Sequence, residues 1–197
     1  KKKYTSNPIT GVYATERSLI NQKNIKPSIL HIATHGFYYA PNQYFSIKEN
    51  TAINPDNSTI VQNPLFRCGL LFAGGKNKTK RTLPTDDGIV TAQEISQLDL
   101  SGVDLVVLSA CVTGLGDIKG NEGVYGLQRA FKMAGVNTII MSLWQVADTQ
   151  TSELMQEFYK FYLSGIYTKQ EALKAAQKEI RRRYSKPFYW AGFVVVE

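Results

Sequence analysis

An α/β fold, built on a mainly parallel sheet with helices on both faces, is what the order of apolar segments predicts for this 197-residue chain. Three observations carry that expectation. Short runs rich in Val, Ile and Leu read as buried strands, segments of helical period lie between them, and glycine or proline punctuates the joins. At 43% hydrophobic the chain can fill one sizeable core, and no internal repeat or low-complexity tract divides it. A single domain over 1–197 is therefore expected. Because Lys1 is not an initiator methionine, the chain reads as a piece of a longer protein.

Taken in order, "TGVYATERSLINQ" (10–22) has helix-forming spacing behind Thr10, and "SILHIATHG" (28–36) is a buried strand stopped by glycine. The stretch 40–66 is polar, holds Pro41, Pro55 and Pro64, and reads as a functional or mobile insertion. "CGLLFAGG" (68–75) is a second apolar run, and "GIVTAQEISQLDL" (88–100) begins extended and turns helical after Thr91. "VDLVVLSAC" (103–111) is a third buried strand. In "EGVYGLQRAFKMAG" (122–135) Val124, Leu127, Phe131 and Ala134 share one helical face, and Gly135 is a natural C-terminal cap. "VNTIIMSLW" (136–144) is a fourth strand. The helix 148–165 has Asp148 as its N-cap, Leu154, Phe158 and Phe161 inside and Gly165 at its end. The next helix, 168–184, places Leu173, Ala176, Ile180 and Tyr184 on one side, and "WAGFVVVE" (190–197) is the last strand.

Composition excludes several functions. No apolar run approaches a membrane span, and no signal-peptide pattern opens the chain. The net charge of +7 gathers at Lys1–Lys3, at the 76–81 loop and at Arg181–Arg183, not in a stripe with interleaved aromatics, so no nucleic-acid partner is expected. "GLLFAGGK" (69–76) has the glycine spacing of a phosphate loop, but Gly75 takes the lysine position; "GLGDIKG" (114–120) fails the dinucleotide spacing. Cys68 and Cys111 are too few for a disulfide framework and read as free thiols in a reducing cytosol.

In open parallel sheets, chemistry gathers at the carboxyl ends of the strands. Two runs end there in reactive side chains, one in His35-Gly36 and the other in Cys111. A thiol attacks a carbonyl as thiolate, and an imidazole can take its proton or return one to a leaving amine. If the two strands are neighbours, about 5 Å apart, their ends can face one substrate bond. The Gly36 and Cys111 amides would then suit a developing oxyanion. The alternative is structural: a lone cysteine or histidine at a strand end is also a packing residue. Cys68, inside an apolar run, reads as core. His31 lies four residues before His35, but on a strand this is not a helical zinc-binding pair, so no metal is expected and His31 reads as core or as support for the site.

The blocks "GVYATERSLI", "LHIATHGFY", "GLLFAGG", "DGIVTAQEISQLDLSGVDLVVLSACVTGLG", "NEGVYGLQRAFKMAGVNTIIMSLWQVAD" and "YWAGF", in this order, resemble the CHAT domain, a caspase-like, separase-like family of cysteine peptidases. The resemblance implies a caspase-like sheet and a cysteine endopeptidase with His35 and Cys111 as its catalytic dyad. It further implies an oxyanion hole from the amides of Gly36 and Cys111, and no cofactor. The setting it implies is bacterial and cytoplasmic, in some relatives phage defence. The chain would be the C-terminal part of a protein whose helical-repeat region, fused or separate, gates the cutting of a protein or peptide substrate. Ser142 and Trp144 fall where caspase-like folds build a substrate pocket, and Asp148 could lend it negative charge. Two departures stand out: Val112 replaces the family's usual glutamate, and Asn121-Glu122-Gly123 replaces Gly-Glu-Gly.

Gly114, Gly116 and Gly120 suit a loop that orders on activation, or a plain turn, and Glu122 suits a helix start. Two other functions remain open at this stage. One is a silent caspase-like pseudoprotease that binds and signals; the other is a different cysteine-dependent hydrolase or acyl transferase.

Overall fold

The computed structural model describes residues 4–38, 63–74, 87–109, 112–113 and 121–197, with backbone alone at 112–113 and 121–124. Among the described residues, eight strands form two four-stranded sheets. In the first, β1 (Ile29–Ile32), β5 (Leu105–Leu108) and β7 (Thr138–Ser142) run parallel, and β8 (Phe193–Val196) closes the edge antiparallel to β7. This is the mainly parallel sheet that the sequence predicts. The second sheet has the order β4 (Ile89–Thr91), β3 (Cys68–Leu71), β2 (His35–Tyr38), β6 (Val112–Thr113). Its β4–β3 and β3–β2 pairs are antiparallel and its β2–β6 pair parallel.

Alternation along the first sheet sorts its residues into two cores. Val106, Leu108, Ile139 and Met141 face one side, where they meet Leu19 of α1 (Glu16–Ile20), Ile95 of α3 (Ala92–Ser96) and Leu127 and Phe131 of α4 (Asn121–Met133). Leu105, Val107 and Ile140 face the other side and meet Leu154 and Phe158 of α5 (Asp148–Tyr162) and Leu173, Ala176 and Ile180 of α6 (Lys169–Arg183). Helices thus cover both faces. Full burial of each large apolar side chain contributes roughly 1.5–3 kcal/mol, which explains why both faces are needed.

The helix ends follow local chemistry. Thr91 and Thr168 each form a capping box, with Glu94 and Glu171 respectively. Gly135, with φ +93, ends α4 in a conformation that a side chain would strain against Ser101. Three expectations need correction. The first helix starts behind Thr15, not Thr10: the Thr15 hydroxyl accepts from the Ser18 amide at 3.2 Å, whereas Thr10 precedes only a short 3-10 turn. A separate short helix, α2 (Gln22–Ile25), follows it. Asp148 is not the cap of α5. Ala147 is the extended residue there, and Asp148 is already in the first turn, where its charge suits the helix dipole. Finally, α5 stops at Tyr162, ahead of the expected Gly165. Most of the polar 40–66 stretch lies outside the described residues; Pro64–Phe66 form a 3-10 turn.

At the amino-terminal rim of the first sheet, Lys169 ties three elements together. Its Nζ donates to Asp104 Oδ1 at 2.6 Å, to the Asp104 carbonyl at 3.1 Å and to Thr138 Oγ1 at 3.0 Å. The Tyr162 hydroxyl donates to Asp104 Oδ2 at 3.2 Å. Burial works to raise the Asp104 carboxyl, but the Lys169 hydrogen bond and charge, then Tyr162 and Asn137, outweigh it and leave it below the usual carboxylate range.

Two outcomes are expected. A depressed folded-state pKa stabilises the fold above the unfolded value near 3.9 and is lost as pH falls through the folded one, so Asp104→Asn should cost on the order of 1 kcal/mol at pH 6, a deficit that shrinks below about pH 4. Urea unfolding across that range measures it. The second concerns Gly69, where a Cβ would sit 2.2 Å from the Val90 carbonyl oxygen and 2.8 Å from the Phe37 ring. Gly69→Ala should destabilise the protein by about 3 kcal/mol in the same assay, because a backbone atom cannot give way.

Candidate functional site

The candidate site stands at the carboxyl rim of β1, β5 and β7. β1 stops at Ile32, and the chain bends at Ala33–Thr34 before β2 opens at His35. The Thr34 hydroxyl donates to the Leu71 carbonyl, which hands this chain from the first sheet to the second. His35 was expected to end a strand. It opens one instead, in a different sheet, because that side-chain hydrogen bond interrupts the ladder one residue earlier.

The consequence for His35 is exposure. Within β2, Gly36 and Tyr38 share one face, and Tyr38 packs into the core with α3 and α4. Arg67 holds Tyr38 there: its Nη1 lies 3.3 Å from the Tyr38 hydroxyl, and its guanidinium 5.7 Å from the ring centroid. His35 and Phe37 therefore point away from that core, Phe37 resting where Gly69 leaves room. His35 is exposed, whereas Gly36 is buried between Leu70 of β3 and Val112 of β6.

Cys111 lies outside the described residues, as do Gly114, Gly116 and Gly120. Its neighbours are informative. The Ser109 amide donates to the Ile32 carbonyl at 3.0 Å, so the β1–β5 ladder continues one residue past β5. Ile32 pairs with Leu108 before the bend, and Gly36 with Val112 after it. Both pairs lie 76 positions apart, so the bend leaves the register unchanged. Glu122 is the second residue of α4, in its first turn.

The expected pocket residues stand at the same rim. Ser142, the last residue of β7, is buried opposite Phe193. Trp144 is 37% exposed, and its indole N–H donates to the Phe188 carbonyl at 3.0 Å, which fixes the ring edge. A side chain at Gly192 would collide with Val146 and press on this indole. Asp148 is exposed in the first turn of α5.

His31 is more than filler. Its Nε2 lies 3.0 Å from the Ser109 hydroxyl and its Nδ1 3.0 Å from the Tyr159 hydroxyl. Part of the ring reaches solvent, yet the protein packed around it disfavours the charged form and lowers its pKa. Burial pushes the Tyr159 phenol up. Sequence reading missed Ser109 and Tyr159. The strand alternation of His31 was the one signal pointing toward Ser109, and nothing local marks Tyr159, 128 positions from His31. Among the described residues, no three His, Cys, Asp or Glu side chains gather to hold a metal.

Cys68 is fully buried, and burial pushes its thiol up to about 12 although the Arg67 charge opposes this. Its sulfur donates to the Pro64 carbonyl at 3.5 Å, and α4 passes so close that a Cβ on Gly126 would lie within 2.4 Å of it. The expected core role is met. Native protein treated with iodoacetamide at pH 7.5 should remain unmodified at Cys68 by peptide mass mapping, and should react there only once denatured.

Comparison with known proteins adds two findings. Stretches of 116 residues are 32% and 31% identical to Tetratricopeptide repeat protein 28 of Mus musculus and of Homo sapiens, covering 57% of this chain. They cover only 5% and 4% of those two proteins, so the chain spans a small fraction of their length. The CHAT domain family model matches residues 2–197. CHAT domains are caspase-like and related to cysteine peptidases, and the sheet with helices on both faces agrees with that architecture. From its second residue to its last, the chain belongs to the CHAT domain family.

Proposed function

We propose that this CHAT domain is a cysteine endopeptidase in which Cys111 is the nucleophile and His35 its acid–base partner. The observation that carries the reading is the register. Gly36 pairs with Val112, and the ladder before the bend has the same offset; this supports a register that would bring position 111 opposite His35. Covalent geometry bounds the argument: the Cα atoms of Cys111 and Val112 are about 3.8 Å apart, and neighbouring strands about 4.8 Å. His35 is exposed on a rigid strand rather than packed in a core, as an acid–base group requires.

The chemistry follows from those positions. The Cys111 thiol yields its proton to the His35 imidazole, and the thiolate adds to the scissile carbonyl. The amides of Gly36 and Cys111 would stabilise the oxyanion, at roughly 3–4 kcal/mol per donor. His35 then protonates the departing amine, leaving a thioester on Cys111. Water adds to the thioester with His35 as base, which frees the acid and restores the thiol. Ser142, Trp144 and Asp148 lie on the β7 side of this rim, where the substrate side chain before the cut would sit; Trp144 and Asp148 are the exposed ones.

The reading extends to a partner. The curated relatives are tetratricopeptide repeat proteins by name, which supports a helical-repeat region as the gate of the peptidase. The setting proposed for it is the cytoplasm; among the described residues, no helix is long and apolar enough to cross a membrane. Relatives from mouse and human mean that the reading does not depend on a bacterial or defence setting.

The test compares new protein N-termini in cells carrying the parent protein, Cys111→Ala or His35→Ala. Both variants should lose cutting by at least about 10³-fold while melting as the parent does. Cutting that persists in Cys111→Ala overturns the proposal. If no variant and no parent cuts, and a peptidyl electrophile fails to label Cys111, the fold serves as a binding module.

A further inference from the structure

We infer that Tyr159, His31 and Ser109 form a positioning chain at the carboxyl rim, which holds Ser109 at the end of the β1–β5 ladder and thereby governs the rate at Cys111. This rests on the reading of Cys111 as nucleophile. None of the three side chains is assigned contact with substrate.

The His31 imidazole has both nitrogens engaged across elements. Nδ1 reaches Tyr159 on α5 and Nε2 reaches Ser109 beyond β5, each at 3.0 Å, while the ring leans on Tyr159 with centroids 5.7 Å apart. A neutral imidazole donates from one nitrogen and accepts at the other. One hydroxyl must therefore donate and the other accept, which gives the chain a direction. The surroundings make this a specific device. On β1, position 31 shares its face with Ile29, which packs against the α5–α6 core, so an aliphatic side chain would fit there.

What the chain holds matters more. Ser109 is pinned to the β1 segment twice, through its amide to the Ile32 carbonyl and through its hydroxyl to His31. Val112 is pinned next to it by pairing with Gly36. Ser109 and Val112 are three positions apart in sequence, so how firmly Ser109 is held bears on the reactivity proposed for Cys111. A nucleophile misplaced by about 1 Å can lose on the order of 10²-fold in rate.

Tyr159 is itself held in register. Three residues along α5, Tyr162 donates to Asp104 at the start of the same strand whose far end is Ser109. Phe158, between these two tyrosines, is fully buried and stacks on Tyr162 at 5.6 Å. The helix is thus hydrogen-bonded to Asp104 just ahead of β5 and to His31 on β1, and cannot slide along the sheet without breaking a bond. That couples the nucleophile segment to α5, whose first turn carries Asp148 on the pocket side.

The experiment uses the whole chain with Tyr159→Phe, Ser109→Ala, Ser109→Thr and the Tyr159→Phe/Ser109→Ala double variant. Iodoacetamide alkylation of Cys111, followed by mass spectrometry from pH 5 to 10, reports the pairing of thiol with imidazole without any protein substrate. For Tyr159→Phe and Ser109→Ala the reactive limb of this profile should move to higher pH. Cutting of a substrate found in the N-terminus search should fall about tenfold in kcat with KM unchanged. The double variant should lose no more than either single one, because both act through His31. Ser109→Thr, which keeps the hydroxyl, should restore most of the rate. An unmoved alkylation profile and kcat, with only the melting temperature lowered, overturns the inference. If the parent cuts nothing and its Cys111 titrates as an ordinary thiol, the peptidase reading has failed. The positioning chain is then judged by amide hydrogen exchange at 112–113: faster exchange in Tyr159→Phe upholds it and equal exchange ends it.

Discussion

Everything at the rim depends on one register: β1 runs parallel to β5 and β2 parallel to β6, with the same offset on either side of a bend. Ile29 pairs with Leu105 and Phe37 with Thr113, both 76 positions apart, so the two ladders share one offset. A one-residue slip would turn every following side chain to the opposite face. His35 would then exchange places with Gly36, and an imidazole would be forced toward the core that Tyr38 occupies. The register is protected from both sides. Below the bend, alternation buries Leu105 and Val107 against α5 and α6, and Val106 and Leu108 against α3 and α4. Above it, Phe37 lies in the space that Gly69 vacates, and Tyr38 is clasped by Arg67.

The bend has a use. A parallel strand that simply ended after Ile32 would leave His35 in a loop, free to sample many positions. Starting β2 at His35 gives the imidazole the rigidity of a strand bonded on both sides, while Ala33 and Thr34 aim it away from the α3–α4 core. Thr34 enforces the change of sheet with its hydroxyl on the Leu71 carbonyl. Rigid elements hold reacting groups more accurately than loops do, and an enzyme that must align a sulfur, a carbonyl and an imidazole depends on that accuracy.

Much of the fold was legible from sequence because burial and periodicity are local signals. The strands at 105–108 and 138–142 sit inside apolar runs that no other element would tolerate, and Leu154, Phe158, Leu173 and Ile180 repeat at helical spacing on the faces that the structure buries. The second sheet was not legible, because "SILHIATHG" reads as one strand; its division rests on a hydrogen bond from Thr34 to a residue 37 positions away. Asp148 misled for a related reason. Aspartate is a good cap by type, but the backbone at Ala147 remains extended one residue earlier, so the helix begins before the carboxylate can cap it. At the site, His35 and His31 were legible as residues of interest. The link from His31 to Tyr159 was not, since nothing in the helix distinguishes that tyrosine from its neighbours.

The two cysteines show how surroundings, not residue type, decide chemistry. Cys68 opens β3 under α4, with its thiol pushed to about 12, and it shares no hydrogen-bonding path with a histidine among the described residues. A thiolate there would face apolar neighbours and the Pro64 carbonyl, so the neutral form wins by several orders of magnitude at pH 7. Position 111 differs in every respect that the flanking residues define. It comes two residues after a serine tied to His31 and immediately before a residue paired with Gly36, the neighbour of the exposed His35. The surroundings thus suppress thiolate chemistry at Cys68, while the proposed function assigns it to Cys111. The arginines of α6 do not blur that contrast: Arg181 covers Trp190, Arg182 pairs with Glu179, and Arg183 bridges Glu153 and Glu157. Those three cations each have a partner near α6, so the proposed exchange of a proton between Cys111 and His35 calls on none of them.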